Sequence, residues 1–119
     1  WRAAVCDASK AIRAARKSVT PPRHVAEAHT ALAQGLEMRH GATDPGVSDE
    51  LQRAANLDHA PAFYHLARIA LARKDNKTYL AGLQDAVDRD PFLCPAVALL
   101  RRELRENPRL DVSVPDTCR

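Results

Sequence analysis

APAFYHLARIALARKDNKTYLAGLQDAVDRDP, residues 60–91, decides the fold. Pro61 suits the first turn of a helix, and Phe63, Leu66, Ala67, Ala70 and Leu71 then recur at steps of three and four residues. That helix is predicted to close in the polar run Arg73-Lys74-Asp75-Asn76. Tyr79, Leu80, Leu83, Ala86 and Val87 repeat the spacing, which predicts a second helix from about Lys77 to Asp88, broken at Asp90-Pro91. Small residues such as Ala67 and Ala86 let two antiparallel helices approach closely, while Phe63, Leu66 and Leu83 fill the space around them.

The flanking sequence repeats this alternation. Upstream, Ser48-Asp49-Glu50 offers an N-cap at Ser48 and first-turn acids for a short helix running to about Leu57. Val25, His29, Leu32, Ala33 and Leu36 stripe a longer helix from about Arg23 to His40, stopped by Gly41 and a polar loop through Asp44-Pro45-Gly46. Thr20-Pro21-Pro22 marks a linker, with Pro22 able to open the next helix. Before it, Val5, Ala8, Ile12, Ala15 and Val19 give an amphipathic helix from Arg2 to Lys17. Downstream, Val97, Leu99, Leu100 and Leu104 predict a sixth helix over about Pro95 to Glu106. Residues 109–119 lack a helical stripe and read as an extended tail, whose alternating Leu110, Val112 and Val114 either seal a groove at the edge of the helices or fray.

Residues 60–91 resemble a tetratricopeptide repeat. Phe63 stands where that family places a bulky aromatic, Leu66-Ala67 matches its Leu-small pair, and Leu83, Ala86 and Pro91 match its second helix and closing proline. Residues 26–59 resemble a degraded unit: Leu32-Ala33 and Ala54-Ala55 fit, whereas His29 replaces the aromatic, the turn is expanded at 41–46 and His59 replaces the proline. Sel1-like helical hairpins share the pattern. The resemblance implies an all-α fold, a short right-handed solenoid of antiparallel hairpins with about six helices. Charge, the paired prolines and the missing helical stripe divide the chain into a basic N-terminal helix and linker (1–22), a repeat domain (23–106) and an extended C-terminal tail (107–119).

Composition agrees with an all-α chain. The 119 residues are 45% hydrophobic but only 4% aromatic, and 18 Lys+Arg against 15 Asp+Glu give a net charge of +3. Residues 1–24 carry six basic groups against Asp7, so the basic character is confined to the first helix. A nucleic-acid binder would show a continuous basic face with stacking aromatics, and neither occurs. No apolar run reaches the length of a membrane-spanning helix. No GxSxG, HExxH, GxGxxG or P-loop spacing is present, so no enzyme is expected. The five histidines and three cysteines lack metal-ligand spacing, and neither a metal nor a cofactor is implied.

The resemblance places the outward positions of each first helix along a concave groove, here Glu27, Thr30, Gln34 and Glu37, then Tyr64, His65 and Arg68, with Arg101, Arg102 and Arg105 extending it. It implies a protein or peptide partner bound by Gln34, Tyr64, His65, Arg68, Arg101 and Arg102. The family's peptide-carboxylate clamp uses Lys and Asn at positions held here by Thr30, Gln34, Tyr64 and Arg68, which argues against a chaperone-tail receptor. The alternative expectation is a scaffold subunit that self-associates or docks on a larger assembly through its basic first helix. Cys94 and Cys118 flank the last helix and the tail, and a bridge between them would pin the tail; pairings with Cys6 are the alternatives. Paired cysteines would suit a periplasmic or secreted protein, free ones a cytoplasmic protein.

Overall fold

The computed structural model describes residues 5, 6, 8–12, 22–41 and 43–118. Its five complete helices are α1 (Pro22–His40), α2 (Pro45–Ala55), α3 (Ala60–Ala72), α4 (Asn76–Arg89) and α5 (Cys94–Glu106). Residues 5, 6 and 8–12 are also helical, and the described residues contain no strand. The remainder of the basic first helix, including Arg2, Arg13, Arg16 and Lys17, lies outside the described residues, as does Pro21 of the linker. The all-α expectation holds.

Each helix packs most closely on its sequence neighbours, and α1 with α2 and α3 with α4 form the tightest pairs. The periodic stripes become the core as their spacing requires. One apolar cluster joins Ala26 and Ala33 of α1 to Val47, Leu51, Ala54 and Ala55 of α2 and to Ala62 and Ile69 of α3. The other joins Ala67 and Ala70 of α3 to Tyr79, Leu83, Ala86 and Val87 of α4 and to Ala96, Val97 and Leu100 of α5. Phe63 touches both clusters, so α3 is the element shared between two layers of packing. Glycine sets the closest approach between α3 and α4. A Cβ built on Gly82 would stand 2.9 Å from the Cβ of Ala67, which leaves no room for a side chain there.

Proline and aspartate set the helix starts. Asp75 caps α4, its side chain accepting from the Thr78 amide at 3.2 Å. At α2 the expected N-cap is displaced: Asp44, not Ser48, is the cap, accepting from the Gly46 amide at 2.8 Å, and the helix begins at Pro45. Asp44 precedes a proline and is therefore held extended, while Pro45 in the first turn gives up an amide hydrogen that would lack a helical partner anyway. The segment expected as a loop is thus the first turn of the helix. At the other end α2 stops at Ala55, short of Leu57, which sits exposed in a turn.

Two of the turns close in the same way. Asp58 and Lys74 both take positive φ, 58° and 60°, and the next amides reach back five residues, His59 to the Ala54 carbonyl at 3.3 Å and Asp75 to the Ala70 carbonyl at 2.9 Å. This is the left-handed helix ending usually built on glycine, made here with Asp and Lys.

Candidate functional site

Sequence-predicted site residues converge where α1 meets α3. Gln34 of α1 donates from Nε2 to Nε2 of His65 on α3 at 3.3 Å, a bond that a neutral imidazole can accept. Burial, reinforced by the Arg68 guanidinium, holds the His65 pKa below its ordinary value, which keeps that nitrogen available as an acceptor. The Tyr64 and His65 rings stand 5.4 Å apart, and the Arg68 guanidinium lies 5.8 Å from the Tyr64 ring centre. Glu37, His65, Arg68, Ile69 and Ala72 line a shallow recess of about 130 Å³. Arg68 is exposed and forms no ion pair among the described residues. Helical spacing explains the grouping: Tyr64, His65 and Arg68 fall within about one turn of α3, with Ile69 beside His65 and Arg68 in the recess and Tyr64 packed against the α3–α4–α5 core.

Other predicted positions go elsewhere. Thr30 is buried and its hydroxyl donates to the Ala26 carbonyl at 3.0 Å, so it belongs to the interior of α1. Glu27 pairs with Arg23 at 3.2 Å on the exposed side of the same helix. Arg101 turns to the tail, donating to the carbonyls of Pro115 at 3.3 Å and Thr117 at 2.9 Å. Arg102 is placed differently from its neighbour: it acts on Tyr79 electrostatically, as do Tyr64, Glu103 and Glu106. The Tyr79 hydroxyl is buried without a hydrogen-bond partner among the described residues, and burial raises its pKa.

A buried polar link escaped the sequence. His29 donates from Nδ1 to Oε2 of Glu50 at 2.6 Å, and Arg53 donates to Oε1 of the same carboxylate at 2.5 Å. Both His29 and Glu50 are under a tenth exposed. The pair ties α1 to α2. No signal in the sequence could have found it, because the partners stand 21 residues apart on different helices. Among the described residues no group of three or more His, Cys, Asp or Glu side chains is arranged to hold a metal ion.

The C-terminal tail is the second built feature. Residues 107–118 run without helix or strand across α4 and α5, with Val112 and Val114 packed on the core. Cys94 and Cys118 lie at disulfide-bonding distance, their Cα atoms 5.6 Å apart, and Cys6 is free and exposed. Of the two outcomes expected for the alternating Leu110, Val112 and Val114, the sealing of an edge is the one observed.

No helix of the described residues is long and apolar enough to cross a membrane. No protein-family model, curated protein or solved structure matches the chain.

Proposed function

We propose that the protein is a non-catalytic interaction module of tetratricopeptide-like helical hairpins, receiving a peptide or protein segment on the face where α1 meets α3. The observation that carries this reading is the recess lined by Glu37, His65 and Arg68, with Gln34 bonded to His65 and Tyr64 beside Arg68. A tyrosine beside an exposed arginine is a pairing favoured at binding hot spots, because a rigid amphipathic ring and a forked cation together grip backbone and side chains of a partner. The mixed charge of the recess, with Glu37 facing Arg68, suits a polar peptide better than a long single-sign polymer. Arg102 pairs with Glu103 at 3.9 Å, and Arg101 is committed to the tail.

The reading is tested by selecting a displayed random-peptide library against the full chain and against a Tyr64→Ala/Arg68→Ala variant of unchanged helicity. Peptides enriched on the parent are expected to lose at least tenfold in affinity on the variant, the order that removing two anchor side chains produces. Peptides that bind both proteins equally, or no enrichment at all, would remove the α1–α3 face from consideration.

A further inference from the structure

The tail is held as a bound peptide would be held. Gln84 of α4 exchanges two hydrogen bonds with the backbone of Ser113, accepting from its amide at 2.7 Å and donating to its carbonyl at 3.1 Å. Arg101 of α5 donates to the carbonyls of Pro115 and Thr117, and the Thr117 hydroxyl donates to the Pro91 carbonyl at 2.5 Å. Apart from that last bond, these contacts engage only the main chain of the tail. Specificity falls to alternate side chains, as in recognition of an extended strand: Val112 and Val114 pack half-buried against the core, and Ser113 between them stays exposed. A cavity of about 300 Å³ continues the groove beside Leu110 and Val112, walled by Lys77, Leu80, Ala81 and Gln84.

Two further features concern how this occupant can leave. The hinge Asn107-Pro108-Arg109 is exposed, with Asn107 ending α5. Both cysteines of the bridge are also exposed, so a reductant reaches the sulfurs without unfolding the helices.

We propose that the α4–α5 groove is a binding site for an extended segment with aliphatic residues two apart, that the chain's own tail is its resting occupant, and that reduction of Cys94–Cys118 lets the tail of a second copy take its place. The second copy is the occupant because its tail makes every contact just described with no new complementarity required, and its Cys118 arrives at Cys94. A dithiol opens the latch by delivering two electrons and two protons, leaving two thiols as it closes to its own disulfide. Oxidised glutathione then takes the two electrons back, releasing two glutathione thiols as Cys94 of one chain bonds to Cys118 of the other. With contacts identical in both forms, the exchange is governed by protein concentration against the effective concentration of the tethered tail, on the order of millimolar. This site is separate from the α1–α3 face and stands or falls without it.

The test mixes equal amounts of unlabelled and ¹⁵N-labelled full chain, reduces them with dithiothreitol, reoxidises with oxidised glutathione from ~10 μM to ~1 mM, and maps disulfide peptides in monomer and dimer fractions. The expected result is a dimer whose share rises with concentration and in which about half of the Cys94–Cys118 peptides join a light to a heavy chain, as random pairing of two copies demands. A chain that stays monomeric at every concentration, or dimers linked through Cys6, would overturn the proposal. A second arm pairs a Val112→Asp/Val114→Asp chain, whose tail cannot seat, with a Gln84→Ala/Arg101→Ala chain, whose groove is impaired. Their mixture is expected to yield at least tenfold more cross-linked dimer than either alone, joined from Cys94 of the first to Cys118 of the second; equal yields would show that the groove does not select the tail. The isotope arm decides alone if either variant fails to fold.

Discussion

Lys74 holds a conformation that suits glycine better. Its φ of 60° lets the Asp75 amide reach the Ala70 carbonyl, and its side chain is exposed and forms no hydrogen bond or ion pair among the described residues. A left-handed residue with a Cβ costs on the order of 1 kcal/mol, so Lys74→Gly is expected to stabilise the protein by about that amount, read as a higher urea midpoint with an unchanged slope. Tyr79 offers the same kind of gain in the interior. Its buried hydroxyl lacks a partner among the described residues, so Tyr79→Phe removes an uncompensated desolvation and is expected to add about 1 kcal/mol in the same assay. Neither site was legible from sequence. Helical spacing put Tyr79 on the inward stripe, where it is, but periodicity carries no information on whether a phenolic oxygen meets a donor.

Among the elements, the apolar stripes were the most readable feature, because steps of three and four residues have one geometric meaning. The boundaries of α1, α4 and α5 fall within one residue of the spacing-based expectation. The start of α2 departs from the spacing-based expectation because Asp44-Pro45-Gly46 has the composition of a loop, and only the cap contact to Gly46 reveals a first turn. The link between α1 and α2 is the part that no local pattern encodes. His29 sits on a predicted inward stripe, whereas Glu50 reads from sequence as a favourable charge at a helix start; their bond depends on how the two helices cross. Glu50→Ala would leave His29 buried without its acceptor and is expected to cost about 3 kcal/mol by urea unfolding. The joint change His29→Phe/Glu50→Leu, which replaces the pair by apolar groups, is expected to fall within about 1 kcal/mol of the parent. A double change as damaging as Glu50→Ala would mean that the pair is needed for more than filling the site.

For the molecule as a whole, pH acts through histidines at the junction of α1 and α3. Burial lowers the pKa of both His59 and His65 from the ordinary 6.5, with Arg68 adding to the effect at His65. The unfolded chain therefore binds protons more readily than the folded one. Stability from these rings is fully present above pH 6.5 and is lost progressively as pH falls from there through their folded values. Urea midpoints are expected to drop between pH 7.5 and pH 5.5, and a His59→Gln/His65→Gln variant to show a flatter profile over that interval. The resemblance, not spacing along one helix, set Gln34 together with the α3 residues, and the Gln34–His65 bond is where they meet. The role of Arg101 was not legible, because it depends on the path of a tail whose only sequence signature is the alternation of Leu110, Val112 and Val114.

The order in which neighbours pack also bears on how the chain reaches this structure. Helices that dock on their nearest predecessor close only short loops, which places the helical body among folds assembled from local contacts on the microsecond-to-millisecond scale. The tail is the exception, since Ser113 must find Gln84 across 29 positions, on a surface that exists only once α4 and α5 have formed. It is accordingly a cooperative unit of its own, last to assemble and first to open, and its amides should exchange with solvent at a free energy well below that of the helices beneath it.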